Sequence, residues 1–156
     1  MNSEEIKGLF MQGIDCSQVV AENFAQELGL DKEVMRRLGA CFGGGMMRGE
    51  TCGSVIAALM IIGMKFGHDK EGDSEQKAVM REKSDAFKKL FVEKYGSTMC
   101  RDLLEYDLSK PEELQKALES GKLLDFCPKL TEDVILLLKQ VLAEQKAEEK
   151  SDDKSI

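Results

Sequence analysis

The chain has 156 residues, of which 42% are hydrophobic, and 22 Lys and Arg against 29 Asp and Glu give a net charge of −7. An apolar fraction of this size can form a core, which argues against global disorder. The acidic balance, with no basic cluster and no tryptophan, argues against nucleic acid and anionic membranes as binding partners.

The N-terminal sequence MNSEEIKGLFMQG predicts no export signal, because it is acidic from the fourth residue and lacks an apolar segment. We therefore expect a cytoplasmic protein. The most apolar run, residues 55–64, has about half of the roughly 20 residues that span a bilayer. This run predicts a buried helix rather than membrane insertion.

The first part of the chain predicts three short helices. Residues 3–12 form the first. Asp15 and Gln18 form a capping box for the second, which ends at Gly29. Asp31 then caps the third helix. Each helix has polar residues at its start and apolar residues at helical spacing, which is typical of packed amphipathic helices.

The middle of the chain predicts a loop followed by two helices. Residues 42–50, FGGGMMRGE, are the least helical stretch before the tail. Thr51 is placed to cap a buried helix over residues 52–66. A polar linker then leads to a long helix over about residues 74–95.

The last part of the chain predicts three more helices. Ser97 or Thr98 starts a short one, and Ser109 with Glu112 forms a second capping box. The final helix opens around Cys127. Its apolar residues follow the spacing of an amphipathic helix: Val134, Leu137, Leu138, Val141 and Leu142.

These elements predict an all-α fold, a compact single-domain helical bundle of about six to seven helices. No segment alternates polar and apolar residues over the length of a strand, and there are only two prolines. We expect one domain over residues 1–145. Residues 146–156 are charged and predict a frayed C-terminal tail.

Four of the five cysteines fall at predicted helix starts. Cys16, Cys52, Cys100 and Cys127 lie in or beside first turns, whereas Cys41 ends a helix. Unpaired N–H groups and the helix dipole favour a thiolate there and can lower a cysteine pKa to about 3.5–7.5. There is no C-x-x-C pair, so only the tertiary fold can bring these thiols together. Converging functional thiols and scattered core thiols both remain open interpretations.

The glycine-rich loop does not predict a nucleotide site, because it follows no strand and matches no phosphate-loop pattern. Gly44, Gly45 and Gly53 would instead let backbone N–H groups approach an anionic group. Arg48 would add charge-assisted hydrogen bonds to that group. The alternative is a flexible connector between two buried helices.

Four segments carry a resemblance to a known family: CSQ at Cys16, FGGGMMRGETCG, GSTMCRDLLEY and FCPKL. They resemble the C_GCAxxG_C_C family of redox-active proteins over about residues 13–140. The four cysteines that define this family correspond to Cys16, Cys52, Cys100 and Cys127, and Cys41 is not among them.

The resemblance implies a redox role. Similar modules are joined to haem domains in split-Soret-type cytochromes, for which an iron–sulfur cluster has been suggested, and genes of the family tend to lie near transporters. We therefore expect the four cysteines to form one site that binds an iron–sulfur cluster, a 2Fe–2S cluster being one form, for electron transfer with an unidentified redox partner protein. Ser54 and Ala57 replace the Ala and Gly of the family signature, which bears on packing more than on the cysteines.

Two other functions remain open. A thiol–disulfide oxidoreductase would use Cys52 as the attacking thiol, with Cys16 as a candidate second catalytic cysteine. A non-redox module would bind zinc or another metal, because zinc accepts four thiolates equally well. A link to a membrane transporter, and a homodimer formed through apolar helix faces, are further expectations.

Overall fold

In the computed structural model the backbone is described for residues 1–152 and the side chains for residues 1–143. This backbone forms ten helices: α1 (Ser3–Met11), α2 (Cys16–Asn23), α3 (Ala25–Leu28), α4 (Lys32–Gly39), α5 (Gly53–Phe66), α6 (Ser74–Tyr95), α7 (Cys100–Leu104), α8 (Pro111–Glu119), α9 (Lys122–Asp125) and α10 (Cys127–Asp152). The all-α prediction is confirmed, with more helices than expected.

The additional helices are short segments beside longer ones. The second predicted helix breaks at Phe24, whose N–H donates to the Ala21 carbonyl three residues back, at 3.3 Å. Gly29 ends α3 in the left-handed conformation, at φ 67°, as predicted. The four-residue helix α9 follows Gly121, which has φ 75°.

Several predicted helix boundaries are confirmed. The Asp15 N–H donates to Gln18 Oε1 at 2.9 Å at the start of α2. Asp31 Oδ1 accepts the Val34 N–H at 2.9 Å at the start of α4. Helix α6 has the bounds that its polar start and the glycine after it predict.

Backbone pairing replaces two of the predicted caps. Thr51 forms an isolated antiparallel bridge with Met99. Cys52 is consequently the residue that precedes α5, and Met99 the one that precedes α7. The predicted caps Thr51, and Ser97 or Thr98, are therefore wrong.

The second predicted capping box is also wrong. Lys110 precedes α8, and the Ser109 hydroxyl donates to Asp107 Oδ1 at 2.6 Å in the turn before the helix. Because Lys110 holds the cap position, Ser109 lies one residue too early to cap α8, and no described side chain forms a cap hydrogen bond there. Pro111 still stands in the first turn, as predicted.

Most buried apolar residues form one main core between α2, α5, α6 and α10. Its largest fully buried side chains include Phe24, Phe66, Phe87 and Phe91. The apolar face predicted for the last helix contributes to it, with Val134, Leu138, Val141 and Leu142 buried and Leu137 partly buried.

A second, small cluster is built by α7, α8 and the turn between them. Its buried members are Cys100, Leu104, Leu108 and Ala117. Phe126, which follows α9, packs against both the main core and the small cluster. The two groups of apolar residues therefore meet at this end of the bundle.

In the described part of the chain, no helix combines the length and the apolar character that crossing a bilayer requires. The domain boundary at residue 145 stays a prediction. The tail predicted at residues 146–156 lies outside the described side chains, and residues 153–156 lie outside the described backbone.

Candidate four-cysteine site

Four cysteines stand at the starts of four different helices. Cys16, Cys100 and Cys127 are the first residues of α2, α7 and α10, and Cys52 immediately precedes α5. Cys41 lies in the turn after α4 and is exposed. The predicted placement of four cysteines at helix starts, with Cys41 as the exception, is confirmed.

The same four cysteines, Cys16, Cys52, Cys100 and Cys127, line one cavity of about 350 Å³. The cavity lies where the main core meets the small cluster. Cys52 belongs to the main core and is 7% exposed, and Cys100 belongs to the small cluster and is 6% exposed. Thiols that lie far apart in the sequence therefore share one enclosed space.

Backbone pairing fixes the helix starts that carry Cys52 and Cys100. The segments before α5 and α7 form a single antiparallel bridge. The Cys52 N–H donates to the Thr98 carbonyl at 2.8 Å, and the Cys100 N–H donates to the Glu50 carbonyl at 2.7 Å. Because these bonds join backbone groups, no residue pattern in the sequence predicts them.

Gly53 permits a close approach between α2 and α5. A Cβ atom at Gly53 would lie 2.8 Å from Cys16 Sγ and 2.5 Å from the Phe42 carbonyl oxygen. Both contacts are too short for real side chains, so α5 can begin against Cys16 only with glycine at this position. Gly53 and Gly44 both line the cavity, as predicted for residues that approach a bound group.

The glycine-rich loop folds into a left-handed turn. Gly44, Gly45, Met46 and Met47 have φ values of 64°, 60°, 59° and 54°. Residues other than glycine seldom adopt this conformation, and strain of this kind persists only where surrounding structure imposes it. The segment therefore forms a defined left-handed turn, and Gly44 in this turn lines the cavity.

Two residues predicted to contact a bound group have other positions. A Cβ atom at Gly45 would lie 2.5 Å from the Glu50 carbonyl oxygen, so Gly45 is needed for the turn itself. Arg48 is exposed, with Nε 3.8 Å from Glu50 Oε1. Neither Gly45 nor Arg48 is part of the described lining. Contact between these two residues and a bound group stays a prediction.

A family model described as "Putative redox-active protein (C_GCAxxG_C_C)" matches residues 14–141. The chain belongs to this family. The matched range contains all four cavity cysteines, and it covers most of the described helical structure. Comparison with curated proteins and with solved structures gave no match. The family description supports a redox function and names no cofactor or partner.

Hydrogen-bond donors of the chain face the sulfurs of Cys16 and Cys52. The Cys16 sulfur accepts the N–H of Gly44 and the hydroxyl of Ser54. The Cys52 sulfur accepts two N–H groups of the first turn of α5. Ser54 Oγ also lies 3.0 Å from Thr131 Oγ1, and both residues are fully buried. These donors stabilise negative charge on sulfur.

Burial nevertheless raises the pKa of all four thiols. Loss of water raises the pKa of Cys52 and of Cys100 to about 12, and it raises the pKa of Cys16 and of Cys127 as well. Repulsion from neighbouring cysteines adds to the effect at every site except Cys16. The N–H donors act in the opposite direction and are outweighed. The prediction of lowered pKa values at helix starts is therefore wrong.

The lining supplies the donor set of a thiolate-bound group. In the part of the chain that the structure describes, no three or more His, Cys, Asp or Glu side chains converge on a position for one metal ion. Zinc lies about 2.3 Å from each thiolate that binds it, which requires sulfurs packed around one point. The cavity, at about 350 Å³, has room for a group of several atoms.

The sequence analysis missed the apolar wall of this cavity. Phe10 and Met11 at the end of α1, and Leu118 in α8, line it together with the cysteines. Helix α8 was predicted from its start signals alone. The solvent-facing position of Leu118 carried no periodic signal that distinguishes a cavity wall from an ordinary surface residue.

Proposed function

We propose that Cys16, Cys52, Cys100 and Cys127 bind an iron–sulfur cluster in the cavity, and that the protein transfers electrons through this cluster. One observation carries the proposal: four thiols, each at a helix start, line a single cavity large enough for a polyatomic group. Four cysteine thiolates are the usual ligand set of such clusters, which supply one-electron redox chemistry.

The chain's own residues would stabilise the charge of the bound thiolates. The N–H of Gly44 and the hydroxyl of Ser54 donate to the Cys16 sulfur. Positive helix ends at all four cysteines act in the same direction. Hydrogen bonds to sulfur and exclusion of water are the means by which proteins tune the potential of such a site.

The raised pKa values favour this function over thiol–disulfide exchange. Exchange requires a thiolate, and Cys52, the expected attacking thiol, has a pKa of about 12 and is 7% exposed. A bound metal removes the proton from a thiol outright, so the same burial does not prevent ligation.

The test is to purify the protein under strictly anaerobic conditions and measure iron, acid-labile sulfide and the visible spectrum. We expect a brown protein with iron and sulfide, both lost in Cys52→Ser. Cys41→Ser is the matched control and should keep both, because Cys41 is exposed and lies outside the described lining.

Two results would overturn the proposal. A colourless protein with stoichiometric zinc would assign the site to a non-redox metal module. A colourless, metal-free protein that cannot be reconstituted with iron and sulfide would leave thiol chemistry as the remaining function.

A further inference from the structure

The cavity has a second wall that takes no part in ligation. Phe10 and Met11 of α1, Leu118 of α8, Leu124 of α9 and Phe126 line it. Ten of the nineteen described lining residues are large and apolar. Apart from the thioether of Met11, these side chains carry no atom that binds a metal, so the lining offers both thiols and apolar side chains.

The cavity reaches the surface at two of these residues. Met11 is 70% exposed and Leu118 is 61% exposed, and both also line the cavity. Each side chain therefore has one side toward the cavity and another toward solvent. They belong to the ends of α1 and α8, and both helices contact α9, to which α1 is joined by the salt bridge between Lys7 and Asp125 at 3.1 Å.

The charge of the lining limits what can enter. Asp15 is the one charged residue in the lining as described, and that lining contains no Lys, Arg or His. At the apolar side chains of the described lining an anion would find no cation to pair with, because the N–H donors and helix N-termini of this cavity lie at the cysteines. An uncharged apolar molecule exchanges contact with water for contact with apolar side chains, which is favourable.

We propose that the wall formed by Phe10, Met11 and Leu118 binds a small, uncharged, apolar organic molecule beside the four cysteines. A dry cavity of about 150 Å³ is known to hold benzene. The cavity here has about 350 Å³ in all, so beside a group bound by the cysteines the remaining space suits a molecule of about one to two rings. The proposal rests on the apolar side chains of the lining, on the exposure of two of them to solvent and on the lack of cations in the described lining. It does not depend on the cluster.

The first test compares two ligands with the same ring system. Binding of 2-naphthol and of naphthalene-2-sulfonate is measured by ligand-observed NMR on the anaerobically purified protein. We expect 2-naphthol to bind and the sulfonate to bind at least about tenfold more weakly, because its charge finds no partner in the lining. Equal binding of the two, or binding of neither, would overturn the proposal.

The second test locates the site with exposed residues that can be changed without disturbing the core. In the double variant Met11→Gln, Leu118→Gln, 2-naphthol should bind about tenfold more weakly, because apolar contact is lost at the opening. The control is Met64→Gln, Leu136→Gln, whose residues are 57% and 55% exposed and lie outside the described lining. An equal loss in both double variants would contradict the assignment.

Iron and sulfide are measured in the same samples. A protein without iron that still binds 2-naphthol selectively would contradict the cluster and leave this proposal standing. Binding that appears only after iron is removed would overturn this proposal, since the ligand would then occupy only the space of the missing cofactor.

Discussion

The main core and the small cluster meet at the four-cysteine cavity, but they differ in what holds them together. The main core fully buries Phe66, Phe87 and Phe91 and contains the 22-residue helix α6. The small cluster has four buried residues, and its helices α7 and α8 have five and nine residues. Helices this short are not stable alone, so contacts across the cavity hold this region in place.

The cysteines of the site therefore belong to two regions that differ in stability. Cys52 belongs to the main core, whereas Cys100 belongs to the small cluster. Regions with few buried contacts open locally without unfolding the rest of a protein. A group that binds cysteines from both regions would therefore stabilise the small cluster more than the main core.

The largest effect is expected from truncating the main core. Phe87→Ala should lower the free energy of unfolding by about 3–5 kcal/mol, because it leaves a cavity among fully buried side chains. Leu104→Ala, at a residue of the small cluster that is 1% exposed, should shift the global transition less. Equal shifts in chemical denaturation would show that the two regions unfold as one unit.

A smaller effect is expected at the contact between α2 and α5. Gly53→Ala should lower the free energy of unfolding by about 1–3 kcal/mol, because the new Cβ meets the Phe42 carbonyl and Cys16 Sγ. Gly63→Ala, in the same helix with no atom within 4 Å of the new Cβ, should raise it by about 0.5–1 kcal/mol. Denaturant titration of both variants checks the difference, and equal values would remove the structural reason for glycine at position 53.

Alkylation rates should separate the regions directly. Cys52 and Cys100 have nearly equal exposure, and the pKa of each is about 12, so both are almost entirely protonated at about pH 8. Both should become reactive only as the pH rises toward 12. In metal-free protein at about pH 8, mass spectrometry should find the exposed Cys41 alkylated first and Cys100 at least about tenfold faster than Cys52. The reverse order would contradict the lower stability of the small cluster.

The smallest effect is expected from the surface contact between α1 and α9. Lys7 and Asp125 form a salt bridge at 3.1 Å, with side chains 35% and 72% exposed. Lys7→Ala should change the free energy of unfolding by less than about 0.5 kcal/mol, because water screens such pairs. Lys88→Ala, which removes a similar pair within α6, is the control. A much larger loss for Lys7→Ala alone would mean that α9 depends on this ion pair.

Sequence patterns predicted the main core well because a long, partly buried helix has apolar residues at regular helical spacing. Helix α6 has its expected bounds, and the apolar face of α10 is confirmed. The small cluster was predicted less well. The caps expected for α7 and α8 are wrong, because Met99, which pairs with Thr51 in the backbone bridge, precedes α7 and Lys110 precedes α8. Tertiary contacts determine where such short helices begin and end, and the local sequence does not specify these contacts.

In the candidate site, too, the local sequence predicted some features and tertiary packing determined the others. The position of four cysteines at helix starts was predicted from caps and a proline, and the structure confirms the position although the caps predicted before Cys52 and Cys100 are wrong. Their location around one cavity depends on how four helices pack, which no local pattern specifies. The pKa direction was wrong for the same reason, because burial of the Cys52 and Cys100 thiols is a property of the packed structure.

The most direct test of the central claim is to compare one cysteine from each region. Bound iron and sulfide are measured in Cys52→Ser, in Cys100→Ser and in the double variant, all prepared anaerobically. If the four thiols act as one site, each single variant should lose as much as the double variant, because residues that act as a unit are not additive. Full iron and sulfide in Cys100→Ser, with loss only in Cys52→Ser, would contradict a site shared between the two regions.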